Sequence, residues 1–217
     1  LNSRQLFRQS YRYGNMINEL DKNIVNKYKN MMVKKIAWII PMPIKGSGGI
    51  RTIITNANFL VKSGYICDVY VDEDYFTTND GLAHKIKKYY GECLCDCFVG
   101  VDMQKEYDMV FATFSLNTVD YIERLNIKRK VYFIQDFEPY FEPMGDNYLK
   151  MERTYRYEFE GISIGHWLAY KLHNEYNASM NCFDFCADLS IYKKLDDVEQ
   201  ENAVCFIYQP EKPRRGC

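Results

Sequence analysis

The sequence lacks long hydrophobic runs and any excess of charge of one sign. No stretch approaches the roughly 20 consecutive apolar residues that a membrane-spanning helix requires. The 28 basic and 29 acidic residues leave a net charge of −1, so no broad basic surface attracts nucleic acid or anionic lipid. No signal peptide is visible either. These absences predict a soluble, cytoplasmic protein that does not bind nucleic acid.

Histidine is scarce, and the eight cysteines lack the spacing of a metal site. Cys93, Cys95 and Cys97 alternate over one predicted strand, whereas zinc sites commonly use pairs separated by two residues, and no histidine lies near. A chain with 47% hydrophobic residues can bury a core without disulfides. We therefore expect no bound metal, and reduced cysteines that pack as small hydrophobic residues.

A strand, a glycine-rich loop, a helix and a second strand follow one another early in the chain. Residues 36–40 form a short, continuous apolar run typical of a strand that is covered on both faces. The glycine-rich loop, residues 46–49, comes next, and apolar residues then recur at helical spacing up to Gly64. With the second strand, over 67–71, this order is one βαβ unit.

The alternation of helices and strands continues along the chain. It predicts an α/β protein with a Rossmann-like, doubly wound parallel sheet. The further predicted helices cover 81–90, 115–125, 147–160 and 166–176, and the further strands 93–99, 109–112, 131–134, 162–164, 181–186 and 203–208. A polar helix over 4–30 precedes the sheet as a leader or linker.

The glycine-rich loop is the first candidate binding site. Glycines let backbone amides approach an anion, and the N-terminus of the following helix adds positive potential. Arg51 can add a charge-assisted contact and Ser47 a hydroxyl. Gly46, Ser47, Gly48, Gly49 and Arg51 are therefore candidates for binding a phosphate group. A tight turn without a ligand explains the same residues.

A dinucleotide site is the nearest alternative for this loop. Arg51 occupies the position of the third glycine in the dinucleotide-binding fingerprint, which weakens the match. Asp72 and Asp74, however, follow the second strand, near where a ribose-binding acid would lie. The loop is not a nucleoside-triphosphate P-loop, because no Gly-Lys-Ser/Thr follows it.

A second candidate segment, residues 135–145, follows a buried strand and is dense in polar and aromatic side chains. Gln135 and Asp136 can hydrogen-bond sugar hydroxyls, and Tyr140 can stack on a sugar ring. A packed loop in which Asp136 caps a turn is the alternative. His166 follows a later strand, opens a helix and is a further candidate for the same cleft.

Two motifs together resemble those of the WsaF-type bacterial rhamnosyltransferases of glycosyltransferase family four. They are residues 41–52, PMPIKGSGGIRT, and residues 135–145, QDFEPYFEPMG. The resemblance runs from residue 34 to the last residue. Residues 185–192 are similar to the family's hinge, and residues 206–216 to the first strand and loop of its second domain.

The resemblance implies the N-terminal half of a GT-B enzyme, with an acceptor-side domain over 34–190 and the truncated start of a donor-binding domain over 191–217. Activity would be metal-independent, retaining transfer from a nucleotide-sugar such as dTDP-rhamnose to a saccharide of a growing bacterial surface polysaccharide, without a cofactor. A lipid-linked acceptor would bring the protein to the inner face of the membrane. The fragment would be inactive without the missing C-terminal domain.

The resemblance also implies roles for individual residues. The glycine-rich loop and Arg51 would reach the donor diphosphate. Arg214 or Arg215 matches a donor-binding basic position, whereas Gln209 stands where an arginine is usual. The predicted contacts of the sugar or acceptor are Gln135, Asp136, Glu138, Tyr140 and His166, and Asp136 is the candidate for proton transfer. A Rossmann oxidoreductase domain and a non-catalytic domain of a polysaccharide assembly protein remain alternatives.

Overall fold

Seven strands and five α-helices form within the residues that the computed structural model describes, namely 35–71, 78–101, 105–185, 187, 189, 192–199, 201–206 and 208. The strands are β1 (Lys35–Ile40), β2 (Ile66–Val71), β3 (Asp96–Val99), β4 (Met109–Ala112), β5 (Arg129–Ile134), β6 (Glu160–Ile164) and β7 (Ser179–Phe183). The α-helices are α1 (Gly48–Lys62), α2 (Asn79–Tyr90), α3 (Asp120–Glu123), α4 (Asp146–Thr154) and α5 (His166–Tyr176). A π-helical turn, Ser115–Val119, precedes α3, and a 3-10 turn, Glu138–Phe141, follows β5.

All seven strands are parallel and lie in the order β3-β2-β1-β4-β5-β6-β7. The chain moves outward from β1 to β3, crosses back to the other side of β1, and moves outward again from β4 to β7. The predicted α/β class and Rossmann-like parallel sheet are confirmed. The order reverses between β1 and β4, and this reversal makes the topological switch point at which ligands of doubly wound sheets bind.

The sheet has an apolar core on each face. Helices α1 and α2 pack on the first face, where Trp38 stacks on Phe111 with ring centroids 3.9 Å apart. Helix α5, with Tyr132 of β5 and Tyr155, packs on the second face. The continuous apolar run of β1 is explained by these two layers, because Ile36 and Ile40 face one core while Ile39 faces the other.

Helix α1 shows how the local sequence sets an element. The Ser47 hydroxyl caps the helix by accepting a hydrogen bond from the Ile50 amide at 3.3 Å. Ile50, Ile53, Ile54 and Ala57 follow at spacings of three and four residues and are buried against the sheet. Each isoleucine contributes roughly 1.5–3 kcal/mol on full burial. This apolar stripe fixes the N-terminus of α1 at the end of β1.

The crossover from β3 to β4 is held by a buried carboxylate. Its described residues, 100, 101 and 105–108, form no helix. Asp68 of β2 is 1% exposed, and it accepts hydrogen bonds from Lys105 Nζ at 2.8 Å and from the Tyr107 hydroxyl at 2.6 Å. Burial, followed by the bond to Asp68, raises the pKa of Tyr107 above its usual range, so this hydroxyl keeps the proton that it donates.

Several boundaries differ from the sequence predictions. The helix predicted over 115–125 is divided, because the Thr118 hydroxyl accepts from the amides of Thr113 and Phe114 and forms a π-helical turn before α3. The helix predicted over 147–160 ends at Thr154, after which Tyr155 and Phe159 enter the second core. The strand predicted over 93–99 begins only at Asp96.

The cysteines of the first face pack as predicted. Cys67, Cys95 and Cys97 are buried in the first core, and Cys93 packs against it. All six cysteines in the described part of the chain are free of disulfides. Burial raises the pKa of the Cys67 thiol to about 12, so this group is protonated and unreactive at neutral pH.

The chain divides into two compact units, residues 1–184 and 185–217. In the second unit, the described residues form neither helix nor strand. The strand predicted near 203–208 is therefore absent from 203–206 and 208, where Val204 and Phe206 are exposed. The predicted domain boundary between 190 and 191 stays a prediction.

Candidate functional site

Three of the candidate segments, together with Thr113, lie along the carboxyl edge of the sheet. The glycine-rich loop follows β1, Thr113 follows β4, Gln135 follows β5, and His166 follows β6. Since all strands are parallel, these four segments lie at one edge, in the spatial order β1, β4, β5, β6. The first two flank the switch point, where a ligand of such a sheet is expected.

Two backbone amides at the N-terminus of α1 are open. The Ser47 amide donates to the Ile44 carbonyl, and the amides of Ile50 and Arg51 donate to Ser47. Within the described residues, the amides of Gly48 and Gly49 have no acceptor. A Cβ atom built on Gly48 would meet nothing within 4 Å. The first turn of α1 therefore holds two backbone donors without an acceptor in the described structure, at the positive end of the helix dipole.

Gly46 shapes the entry to this turn. Its φ of +82° lies in the left-handed region, which glycine adopts without the steric cost of a Cβ. The bend leads from the Pro41–Pro43 stretch into Ser47, the helix cap. The sequence therefore uses one glycine for the turn and two for the open first turn of the helix.

Arg51 supplies a cation at the same helix end. Its side chain is exposed, and among the described residues no carboxylate pairs with its guanidinium. Its amide belongs to the first turn of α1. The guanidinium, the open amides and the helix dipole together favour an anion at this position.

Gln135 connects the end of β5 to the glycine-rich loop. Its Nε2 donates a hydrogen bond to the Gly49 carbonyl at 3.2 Å. A Cβ atom on Gly49 would lie 3.2 Å from the same Nε2, so a glycine at this position leaves room for the amide. One of the two donors of Gln135 is thus used within the protein, and the second motif is physically joined to the first.

Thr113 lies at the switch point, directly after β4. It is buried, and its hydroxyl donates to the Ile39 carbonyl of β1 at 2.7 Å. This bond joins the ends of β1 and β4 where the chain reverses its winding. Thr113 therefore has a structural role, because this hydrogen bond links the two strand ends beside the glycine-rich loop.

Asp136 caps its own turn. Its Oδ1 accepts from the Phe137 amide at 2.8 Å, and the side chain is half-buried. The packed-loop alternative from the sequence describes this geometry. Proton transfer by Asp136 stays a prediction.

Glu138 lies inside the second core. It is 4% exposed, its Oε2 accepts from the Tyr132 hydroxyl at 2.7 Å, and its amide donates to the Tyr155 hydroxyl at 3.1 Å. Burial, and then the charge of Glu138, raise the pKa values of both tyrosines. The structure shows a buried carboxylate that anchors the segment after β5, and sugar binding by Glu138 stays a prediction.

The aromatic residues of the second motif are divided between core and surface. Phe137 is buried and meets Tyr140 edge-on, with ring centroids 4.7 Å apart. Tyr140 is 52% exposed, and Phe141 and Met144 are exposed beside it. An exposed ring held from behind by a buried one is suited to stacking on a sugar, which stays a prediction for Tyr140.

His166 lies at the β6 end of the edge. Gly165 has a φ of +78° and turns the chain from β6 into α5, which places His166 in the first turn of the helix. Its Nδ1 lies 3.2 Å from Cys182 Sγ, and its Nε2 lies 3.6 Å from Asp184 Oδ1. Contact of His166 with an acceptor stays a prediction. Cys182 and Asp184 carried no sequence signal, because only the pairing of β7 with β6 brings them to His166.

Several predicted residues lie outside the described part of the chain. They are the leader helix over 4–30 with its predicted domain 1–33, the ribose-binding candidates Asp72 and Asp74, Gln209, and the donor-binding candidates Arg214 and Arg215.

A cavity of about 510 Å³ opens at the opposite edge, beside the amino ends of β5 and β6. Two of its cations are engaged by the protein. Arg129 forms a bidentate pair with Glu160, with nitrogen–oxygen distances of 2.8 and 2.5 Å, and this pair lowers the pKa of Glu160. Lys130 donates to the Glu123 carbonyl. We interpret this cavity as a groove between packed elements.

Comparison with known proteins does not supply a family. No protein-family model matches the chain, and no curated protein matches it significantly. Among the described residues, no group of three or more histidine, cysteine or acidic side chains is placed to hold a metal ion. No described helix combines the length and apolar character needed to cross a bilayer.

Proposed function

We propose that the chain is the acceptor-side domain of a GT-B glycosyltransferase whose glycine-rich loop contacts the diphosphate of a nucleotide-sugar donor. The observation that carries the proposal is the open first turn of α1 at the switch point. Two amides without acceptors, at Gly48 and Gly49, adjoin an arginine without an acidic partner in the described structure. These groups have the sign and position that a diphosphate requires.

The chemistry of glycosyl transfer explains why such a loop would be useful. A hydroxyl oxygen of the acceptor forms a bond to the anomeric carbon of the sugar, and the bond from that carbon to the diphosphate oxygen breaks. The nucleoside diphosphate leaves with the bonding electrons, and the proton of the acceptor hydroxyl is released. Amides and a guanidinium directed at the diphosphate stabilise the negative charge that develops on it.

The second motif has a supporting place in this proposal. Gln135 is bonded to the carbonyl of Gly49, so it positions the loop rather than offering all its donors to a sugar. Tyr140 is exposed on the same segment and offers a ring to the acceptor or donor sugar. In this proposal, the sugar donor is a dTDP-sugar such as dTDP-rhamnose, and the acceptor is a saccharide.

A titration of dTDP against the whole chain tests the proposed diphosphate site. Arg51→Ala should weaken dTDP binding by about tenfold, which equals a loss of ~1.4 kcal/mol of binding free energy. A loss of this size is typical of one charge-assisted contact. Gly48→Ala should also weaken binding, because it adds a methyl group to the first turn of α1, where the methyl group meets no protein atom within 4 Å and can hinder a bound diphosphate. Isothermal titration calorimetry measures both effects.

Lys62→Ala provides a matched control. It removes one exposed positive charge from the last turn of the same helix, so it changes the net charge as Arg51→Ala does but leaves the first turn intact. We expect dTDP affinity within about twofold of the unmodified chain. Absence of dTDP binding, or equal losses in the Arg51 and Lys62 variants, would contradict the proposal.

A dinucleotide site is the second candidate, favoured by the strand order around β1, which matches that of dinucleotide-binding domains. Arg51 stands at the position where those domains place a third glycine for close packing of helix on strand. Its side chain is exposed, so the arginine does not disturb the packing of α1. Tighter binding of NAD than of dTDP would favour this candidate over the proposed one.

A further inference from the structure

A cysteine, a histidine and an aspartate meet at the carboxyl end of β6 and β7. Cys182 Sγ lies 3.2 Å from His166 Nδ1, and the other ring nitrogen, Nε2, lies 3.6 Å from Asp184 Oδ1. The three side chains thus form a chain of contacts in the order thiol, imidazole, carboxylate. This is the order of nucleophile, base and orienting acid found in activated nucleophiles.

Strand pairing holds the three residues together. Cys182 of β7 pairs with Ser163 of β6, and the Gly165 amide donates to the Phe183 carbonyl at 2.8 Å, one residue beyond the strand. His166 follows directly as the first residue of α5. Backbone hydrogen bonds therefore bring Cys182 and His166 to neighbouring positions.

The group is open to reagents. The side chains of His166 and Asp184 are 79% and 70% exposed, and Cys182 is partly exposed. Of the other described cysteines, Cys67, Cys95 and Cys97 are buried, Cys93 is partly exposed, and Cys205 is exposed.

We propose that Cys182 is a nucleophilic thiol, activated by His166 and oriented through Asp184, and that it is a modification site for soft electrophiles. The Asp184 carboxylate favours a proton on His166 Nε2, which leaves Nδ1 as the acceptor that faces the sulfur. As the sulfur attacks, the S–H bond breaks and its proton passes to Nδ1. The new bond joins sulfur to the electrophilic atom, and the leaving group departs with the electron pair. This proposal is independent of the donor site.

Alkylation of the whole chain with iodoacetamide at pH 7 tests it. Sulfur forms a bond to the methylene carbon of the reagent, iodide leaves, and peptide mass spectrometry follows each cysteine over time. Cys205 is the internal reference, because it is exposed and contacts no imidazole in the described structure. We expect Cys182 to react about tenfold faster than Cys205, which is less than the roughly hundredfold or greater effect of an optimally positioned base.

Variants separate activation from exposure. His166→Gln should lower the rate at Cys182 to that at Cys205, and Asp184→Asn should lower it about threefold, within the range of an exposed charge contact. The matched control is His173→Gln, which removes a histidine from the same helix whose ring contacts only the Ala178 carbonyl among the described residues. This control should leave the rate at Cys182 unchanged.

Cys67 reports unfolding in the same experiment. Burial raises its pKa to about 12, so it should stay unmodified in every folded variant. The proposal is overturned if Cys182 reacts no faster than Cys205, or if His166→Gln leaves its rate unchanged while Cys67 stays protected. An unchanged rate in Asp184→Asn would overturn the orienting role of the carboxylate.

Discussion

At the scale of single residues, the buried pair of Tyr132 and Glu138 allows a direct test of the second core. Tyr132→Phe removes the hydroxyl that donates to Glu138 Oε2 at 2.7 Å and leaves the ring in place. Because the carboxylate is 4% exposed, water cannot easily replace the lost donor. We expect the free energy of unfolding to fall by about 1–3 kcal/mol. Urea denaturation measures the change.

Tyr140→Phe is the control for this substitution. It makes the same chemical change in the same part of the chain, but the Tyr140 ring is 52% exposed, so the change in unfolding free energy should stay within about 0.5 kcal/mol. Equal effects of the two substitutions would show that Glu138 does not depend on the Tyr132 hydroxyl.

The orientation of Glu138 also marks a limit of sequence interpretation. The segment over 135–145 was predicted correctly to follow a buried strand. Nothing local to them shows that Tyr132 and Tyr155 meet around the glutamate, since Tyr155 comes 17 residues later. Polar residues after a strand can face a cleft or the core, and only the packing of distant elements decides between the two.

At the scale of elements, Gly161 controls how closely β7 approaches β6. The two strands pair Gly161 with Met180, and a Cβ atom on Gly161 would lie 2.2 Å from Met180 Sδ and 3.0 Å from the Ser179 carbonyl oxygen. Gly161→Ala should therefore displace the Met180 side chain, crowd the Ser179 carbonyl, and lower the free energy of unfolding by about 1–3 kcal/mol, typical of overpacking.

A double-mutant cycle with Met180→Ala locates the cause. Shortening Met180 removes the nearer of the two clashes, so Gly161→Ala should cost less than half as much in the Met180→Ala background. An unchanged cost would assign the strain to the backbone of β7 and contradict the proposed contact. Denaturant titration of the four proteins provides the comparison.

The helices and strands were largely predictable where the hydrophobic residues recur with a single period. Helix α5 covers the predicted 166–176, because Leu168, Leu172 and Tyr176 recur every four residues on its buried side. The helix predicted over 115–125 is divided into a π-helical turn and α3, and the Thr118 hydroxyl accepts hydrogen bonds from the two amides that precede this turn. His166 and Cys182 are 16 residues apart, and their contact depends on the register in which β7 pairs with β6. Hydrophobic patterning does not specify this register.

At the scale of the whole molecule, the strand order predicts a gradient of stability across the sheet. β1 is hydrogen-bonded to a strand on each side and covered on both faces, whereas β3 and β7 are edge strands within the described sheet. Alternate residues of β7 are exposed. Local opening therefore needs the least free energy at β7 and the most at β1.

Native-state hydrogen exchange measures this gradient. Amides of β1 and β4 should exchange only through global unfolding, and those of β7 about a hundredfold faster, a difference of ~2.8 kcal/mol. The two proposed sites would then differ in rigidity, because the open turn of α1 begins at the end of the best-protected strand and Cys182 lies on one of the least protected. Uniform protection over all seven strands would contradict the gradient, since the sheet would then open only as one cooperative unit.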